Sequence, residues 1–443
     1  MSNNENNEIR DSFTSKTGFI LACIGSAVGM GNIWLFPYRV GQFGEAAFLI
    51  PYIIFIVLLG YTGLMGEFAF GRMTQTGPIG SFKKALETRN KSWGGFLGII
   101  PVIGAFGIAV GYAVVVGWFL RFLGGFITGS AMSAADSGAY FGELASPFGS
   151  IIWHLLALIL VSIVLISGIS KGIETMNKIM MPAFYILFVI VMVRVFMLDG
   201  AFEGIKYLVV PKWSSLMEPK TWIYALGQAF FSLSLAGSGM IVYGSYLKRD
   251  VDIMSSAKNT VIFDTLGAFL AGLVIIPAVF AFNLDPASGP PLLFITIPSV
   301  FKLMPFGRLF GVIFFISVLF ASITSLMNLL EVPIEAVQST FKLKRKLSVF
   351  IVVGAAFIFG LFAEDGNNLG VLMDFVSIYI IPIGAFIAAV MFFWVIGIEK
   401  AKCEIECGTD KKLGKLFEIS AKYVFVFLTI FVFIAGILLG GIG

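Results

Sequence analysis

The sequence predicts an all-α polytopic membrane protein: eleven transmembrane helices in two inverted five-helix repeats, with the first and sixth helices unwound. Three observations lead there. Apolar runs of about 20 residues, each long enough to cross a bilayer, recur from end to end. Lysine and arginine gather in alternate loops. Two apolar runs are broken at depth by glycine and hydroxyl residues, "GSAVGMGN" at 25–32 and "SLSLAGSG" at 232–239.

Composition agrees. Of 443 residues, 58% are hydrophobic and 13% charged, and the mean hydropathy is +0.95. That charge content is roughly half the soluble norm, and no stretch is polar and long enough for a separate soluble domain. A membrane β-barrel would show short alternating strands instead. The opening "MSNNENNEIRDS" has no basic segment before a cleavage site, so no signal peptide is expected. The net charge of +4 is small and gives no hint of nucleic acid. Cys23 falls in a span. Cys403 and Cys407 lie in a charged loop and read as unpaired thiols rather than a metal or redox pair.

The spans are expected at roughly 16–40, 43–71, 93–126, 149–168, 176–198, 220–247, 257–283, 305–337, 347–363, 368–397 and 419–441. The basic loops are 72–92, 248–258, 342–346 ("KLKRK") and 399–415. They alternate, which puts them and the N-terminus on the cytoplasmic side. Loop 127–148 has Asp136 and Glu143 but no lysine or arginine, as an outer loop should. An odd number of spans puts the C-terminus outside. The division expected is a cytoplasmic segment 1–15, repeats 16–198 and 199–397, and a cytoplasmic loop with the eleventh helix at 398–443.

Unwound backbone in hydrocarbon is costly, because each unpaired N–H or C=O loses its partner. It survives where it lines a protein cavity. There, freed carbonyls coordinate a cation such as Na⁺, and freed amides hold a carboxylate. A zwitterionic amino acid with sodium fits both. The competing explanation is close helix–helix contact through glycine. Matched breaks in corresponding positions of two halves favour a transporter built from inverted repeats.

Ionisable groups inside spans carry further information. Asp264 lies in "VIFDTLGAFLAGLVIIP". A lone carboxylate at mid-membrane costs about 2.5–3.5 kcal/mol on insertion scales, so it should face a partner, either a cation or a hydrogen bond from a neighbouring helix. Glu67 and Glu331 read as structural braces, and His154, the single histidine, as an interfacial or structural residue. Thr324 and Ser325 are adjacent hydroxyls that gain meaning only beside a cation site.

The segment "GSAVGMGNIWLFPY" resembles the first helix of the neurotransmitter:sodium symporter family. The likeness continues through "PYIIFIVLLGYTGLMGEFAFGR", "ISKGIETMNKIMMP", "GQAFFSLSLAGSG", "YGSY", "ASITS" and "MDF", and so covers essentially the whole chain. It implies sodium-coupled uptake of an amino acid by alternating access in a bacterial cytoplasmic membrane. It also implies two sodium sites. One would use carbonyls of Gly25, Val28 and Ala321 with the hydroxyls of Thr324 and Ser325. The other would use Ala27, Asn32, Ser232 and Asp264. The substrate carboxylate would meet the Met30 and Gly31 amides and the Tyr112 hydroxyl, and the ammonium the carbonyls of Ala27, Phe231 and Ser234. Ile108, Phe231, Gly237, Leu326 and Leu329 would surround the side chain. Small residues at Gly29 and Gly237 suggest a wide pocket, similar to eleven-helix bacterial transporters of tyrosine and other hydrophobic amino acids.

The chain also departs from the family pattern. Asp374 matches the outer-gate aspartate, but its arginine partner's position holds Leu35, leaving Arg39 or Gln228 to bridge. At the inner gate Arg10, Phe13 and Tyr246 match, without an aspartate near the end of the eighth span. Asp264 stands where the family has asparagine, and Ala268 where chloride-independent relatives carry a carboxylate. Asp264 would then supply the negative charge itself, making transport chloride-independent, and would take up a proton if it returned empty. A channel is disfavoured by the lack of a pore-loop filter such as TVGYG. A membrane enzyme is disfavoured by the lack of HExxH or an aspartyl dyad. A sensor of the same fold is distinguished only by measuring flux.

Overall fold

The computed structural model describes residues 11–284 and 292–442. Its long elements are helices. We number them α1 (Lys16–Ala27), α2 (Gly31–Gln42), α3 (Ala46–Thr74), α4 (Gly94–Thr128), α5 (Ile151–Ile166), α6 (Ile169–Phe196), α7 (Pro219–Ser232), α8 (Gly239–Ser245), α9 (Ile253–Ala281), α10 (Gly307–Phe341), α11 (Arg345–Phe362), α12 (Gly366–Glu406) and α13 (Lys415–Leu439). Among the described residues eight helices are long and apolar enough to cross a membrane, nine if the bent pair α1–α2 is one span. The shorter α5 and the split pair α7–α8 occupy the places expected for the fourth and sixth spans.

The breaks follow from local chemistry. Ser15 caps α1 by accepting from the Gly18 amide at 3.0 Å. The helix stops at Val28, whose backbone is extended, and α2 leaves at 50°. Between α7 and α8 the chain turns through Ser234 and Gly237, at φ +53° and +67°. Such angles do not continue a helix, and Gly237 adopts its angle without steric cost.

Helices α4 and α10 run against each other through the centre, with α1, α6 and α9 packed around the broken segments. The stretch before α1 is pinned to the start of α6. Glu174 accepts from the Thr14 amide (2.7 Å) and from the hydroxyls of Thr14 (2.7 Å) and Ser15 (2.8 Å).

The start of α6, at Ile169 and not 176, and the end of α12 differ from expectation. Residues 398–406, read as loop, are helical and extend α12 past Gly397. The reason is Arg72, which is fully buried and pairs with Glu404 at 2.7 Å. Its guanidinium also donates to the carbonyls of Glu404, Cys407 (3.2 Å) and Val251 (2.7 Å). A buried charge requires this many partners, and they hold the end of α12 against α3. His154, expected to be interfacial or structural, is buried in α5 with Nδ1 3.2 Å from Glu364.

Candidate functional site

The two breaks face each other across a cavity of about 70 Å³. Of the residues expected around the substrate, Ala27, Gly29, Met30, Gly31, Ile108, Tyr112, Phe231, Ser234 and Leu329 line it. The Met30 amide, freed by the break, donates to the Tyr112 hydroxyl at 2.9 Å. Gly29 makes this approach possible: a Cβ there would lie 2.4 Å from the Tyr112 hydroxyl and 2.5 Å from Ser325 Oγ. Ser234 donates its hydroxyl to the Ser26 carbonyl at 3.0 Å, joining the two breaks.

Gly237 and Leu326 are not on the cavity wall. Gly237 donates its amide to Glu67 Oε1 at 2.9 Å, and a Cβ on it would sit 2.4 Å from the Gly384 carbonyl. Its small size therefore serves a backbone approach to α12 and does not widen the pocket. Leu326 is fully buried in the core. Two polar residues not expected at the substrate also line the cavity, Ser238, which falls inside the second break, and Asn328, which carries no sequence signal.

Below α1 a cluster of oxygens converges. Ser325 Oγ lies 3.0 Å from the Gly25 carbonyl and 3.2 Å from that of Val28. Thr324 donates to the Ala321 carbonyl at 2.8 Å and abuts Gly25. These five residues come together as neutral hard donors suited to a small monovalent cation.

A second cluster surrounds Asp264, which is fully buried. Asn32 Nδ2 donates to Asp264 Oδ1 (2.8 Å) and to its carbonyl (2.9 Å). Ser232 donates to Oδ2 at 2.8 Å. Ala27, the remaining residue expected at this site, lines the cavity. A buried carboxylate with neutral donors but no cationic side chain among these contacts is a place where a cation adds the missing charge.

Toward the basic face, Phe13 is buried, and its amide donates to the Tyr246 carbonyl at 3.3 Å. The Tyr246 hydroxyl donates to Glu331 at 2.8 Å, and Arg345 grips the same carboxylate with two nitrogens at 2.9 and 2.7 Å. Arg345 thus pairs with Glu331 near the end of the eighth span and, being a cation, does not replace the aspartate missing there. Arg10 lies outside the described residues. At the other end Asp374 is exposed on α12. Of its two candidate bridges, Arg39 rests its guanidinium 4.5 Å from the Tyr224 ring centroid, and Gln228 donates to the Gly31 carbonyl at 2.8 Å.

A profile of the Sodium:neurotransmitter symporter family matches residues 10–132 and 141–439. The uncharacterized sodium-dependent transporter YhdH of Bacillus subtilis is 36% identical over 432 residues, covering 94% of each chain. The sodium-dependent serotonin transporter of Drosophila melanogaster is 28% identical, over 96% of this chain and 76% of its own. A crystal structure of MhsT in complex with L-phenylalanine is similar with a TM-score of 0.87 and 34% identity, covering 96% of this chain and all of that one.

Proposed function

The chain belongs to the sodium:neurotransmitter symporter family, a family of multi-pass sodium-dependent transporters and not of enzymes, and from that premise we propose that it imports a hydrophobic, aromatic L-amino acid such as tyrosine. The observation that carries the amino-acid reading is the freed Met30 amide meeting the Tyr112 hydroxyl on the wall of the cavity. A substrate carboxylate takes this pair and the Gly31 amide. The ammonium takes carbonyls of Ala27, Phe231 and Ser234. Phe231, Ile108 and Leu329 supply apolar walls, and Ser238 and Asn328 offer hydrogen bonds to a phenolic hydroxyl. The L-phenylalanine bound to MhsT is of the same chemical class.

Two sodium ions occupy the two oxygen clusters. The first sits beside Asp264, with Ala27, Asn32 and Ser232. The second sits among Gly25, Val28, Ala321, Thr324 and Ser325. Asp264 balances sodium charge, which makes transport independent of chloride. The repeats 16–198 and 199–397 supply the two interrupted helices, and alternating access comes from rocking the elements that carry them. Phe13, Tyr246, Glu331 and Arg345 close the cytoplasmic side, and Asp374 belongs to the outer closure. The protein sits in the bacterial cytoplasmic membrane with its N-terminus inside and its C-terminus outside, as the basic loops favour.

The test is uptake of labelled tyrosine into proteoliposomes under an inward sodium gradient, with and without chloride and with unlabelled competitors. Sodium-driven, chloride-independent uptake blocked by aromatic amino acids is expected. Binding without flux would mean a sensor. Uptake blocked only by small or charged amino acids would overturn the aromatic assignment.

A further inference from the structure

We propose that Asn177 of α6 contributes an oxygen ligand to the second sodium site, so that the bound ion joins α6 to α1 and α10. The inference rests on the reading of Gly25, Val28, Ala321, Thr324 and Ser325 as that site.

Asn177 is fully buried. Its Nδ2 donates to the Ile173 carbonyl at 2.8 Å, one turn back on its own helix. This bond fixes the amide's orientation, because the flipped form would set two oxygens against each other. The Oδ1 atom therefore points away from α6, and it has no hydrogen-bond partner. A buried acceptor left unsatisfied is costly and calls for a missing partner.

The place it points to is the cation cluster. A Cβ built on Gly25 would lie 2.0 Å from Asn177 Oδ1 and 3.1 Å from Thr324 Oγ1. Both oxygens thus press on the bare Cα of Gly25, whose carbonyl is itself 3.0 Å from Ser325 Oγ. One turn along α6, Met181 touches Thr324, with the sulfur 3.5 Å from Oγ1. This face of α6 is therefore seated on the cluster. A neutral amide oxygen is a hard donor, in keeping with the carbonyls and hydroxyls already there. The sterically open Gly25 is what allows it so close.

Such a ligand has a consequence for the cycle. Losing the ion leaves Oδ1 orphaned at the cytoplasmic half of α6, beside the Glu174 contacts that hold the stretch before α1. Sodium release and loosening of α6 from α1 are then one event.

The experiment measures sodium binding to purified full-length protein without amino acid, by radiolabelled sodium binding and by thermal stability with and without sodium. Three variants are compared with wild type: Asn177→Ala, Asn177→Asp and Thr324→Ala. Asn177→Ala should weaken sodium binding about fivefold or more. In sodium-free buffer it should be at least as stable as wild type, because it removes the orphan. Asn177→Asp, which adds charge at the same place, should bind sodium at least as tightly as wild type. If Thr324→Ala weakens sodium binding while Asn177→Ala leaves it within twofold, Asn177 is not a ligand. Equal loss of stability by Asn177→Ala with and without sodium would make it a packing residue and overturn the proposal. If Thr324→Ala itself has no effect, the reading of the second site fails, and this inference with it.

Discussion

The Asn32 side-chain amide donates to Asp264 twice, to the carboxylate at 2.8 Å and to the main-chain carbonyl at 2.9 Å. One residue in the first turn of α2, just past the break, thereby contacts both the carboxylate and the backbone of α9. Ser232, at the other break, takes the second carboxylate oxygen at 2.8 Å. The three meet at a buried negative charge that no cationic side chain in these contacts balances.

Replacing chloride by gluconate should therefore leave sodium-driven uptake within twofold of its value. Asp264→Asn keeps the shape and removes the charge. It should weaken sodium binding about tenfold or more, since two charges a few ångströms apart interact by several kcal/mol even at an intermediate dielectric. Added chloride should restore part of the loss. Sodium titrations in the two salts decide it: wild-type protein that needs chloride would rule out this role for Asp264.

A second prediction concerns the cavity's polar residues. Asn328 makes one long bond, 3.5 Å to the Gly239 carbonyl, and otherwise faces the cavity wall and Tyr243. Asn328→Leu should lower tyrosine affinity about tenfold relative to phenylalanine, because a site built around a hydroxyl loses most when its partner is removed. Competition binding with the two amino acids reads the ratio. Equal losses for both would make Asn328 a brace for α8.

These contrasts indicate what a sequence can carry. Helix breaks were legible because glycine and hydroxyl residues are so ill-suited to a span's interior. Asp264 was legible because a charge in an apolar run is rare. Asn177 carries no such signal: an amide in a span has many ordinary uses, and only the direction of its oxygen gives it meaning. Arg345 was hidden in "KLKRK", where it looks like one more topology charge. Gly237 was legible as important but for another reason, since a small residue in a sequence does not say whether side chain or backbone fills the space beside it.

Arg345 leads to a third prediction. Glu331 is wholly buried and depends on Arg345 and Tyr246 for its charge. Arg345→Ala should destabilise the protein by about 3–5 kcal/mol, because it strands a buried carboxylate. Glu331→Gln combined with Arg345→Ala should recover much of that loss. Thermal unfolding of the three variants in detergent measures the coupling, and strictly additive losses would mean that the pair does not act as a unit.

The last prediction separates two glycines that look alike in sequence. A methyl group on Gly29 would strike the Tyr112 hydroxyl and Ser325 Oγ, both ends of side chains inside the site. A methyl on Gly237 would strike the Gly384 carbonyl, which is backbone, and would also force alanine to φ +67°. Strain of the second kind costs about 1–3 kcal/mol and cannot relax by a rotamer change. Gly237→Ala should therefore lower thermal stability, with the ranking of tyrosine, phenylalanine and leucine as competitors unchanged. Gly29→Ala should keep most of the stability and lose amino-acid affinity instead, because it pushes Tyr112 away from the Met30 amide. Stability and competition measured on both variants settle the distinction. A stable Gly237→Ala protein that shifts its preference toward smaller side chains would return Gly237 to the pocket wall.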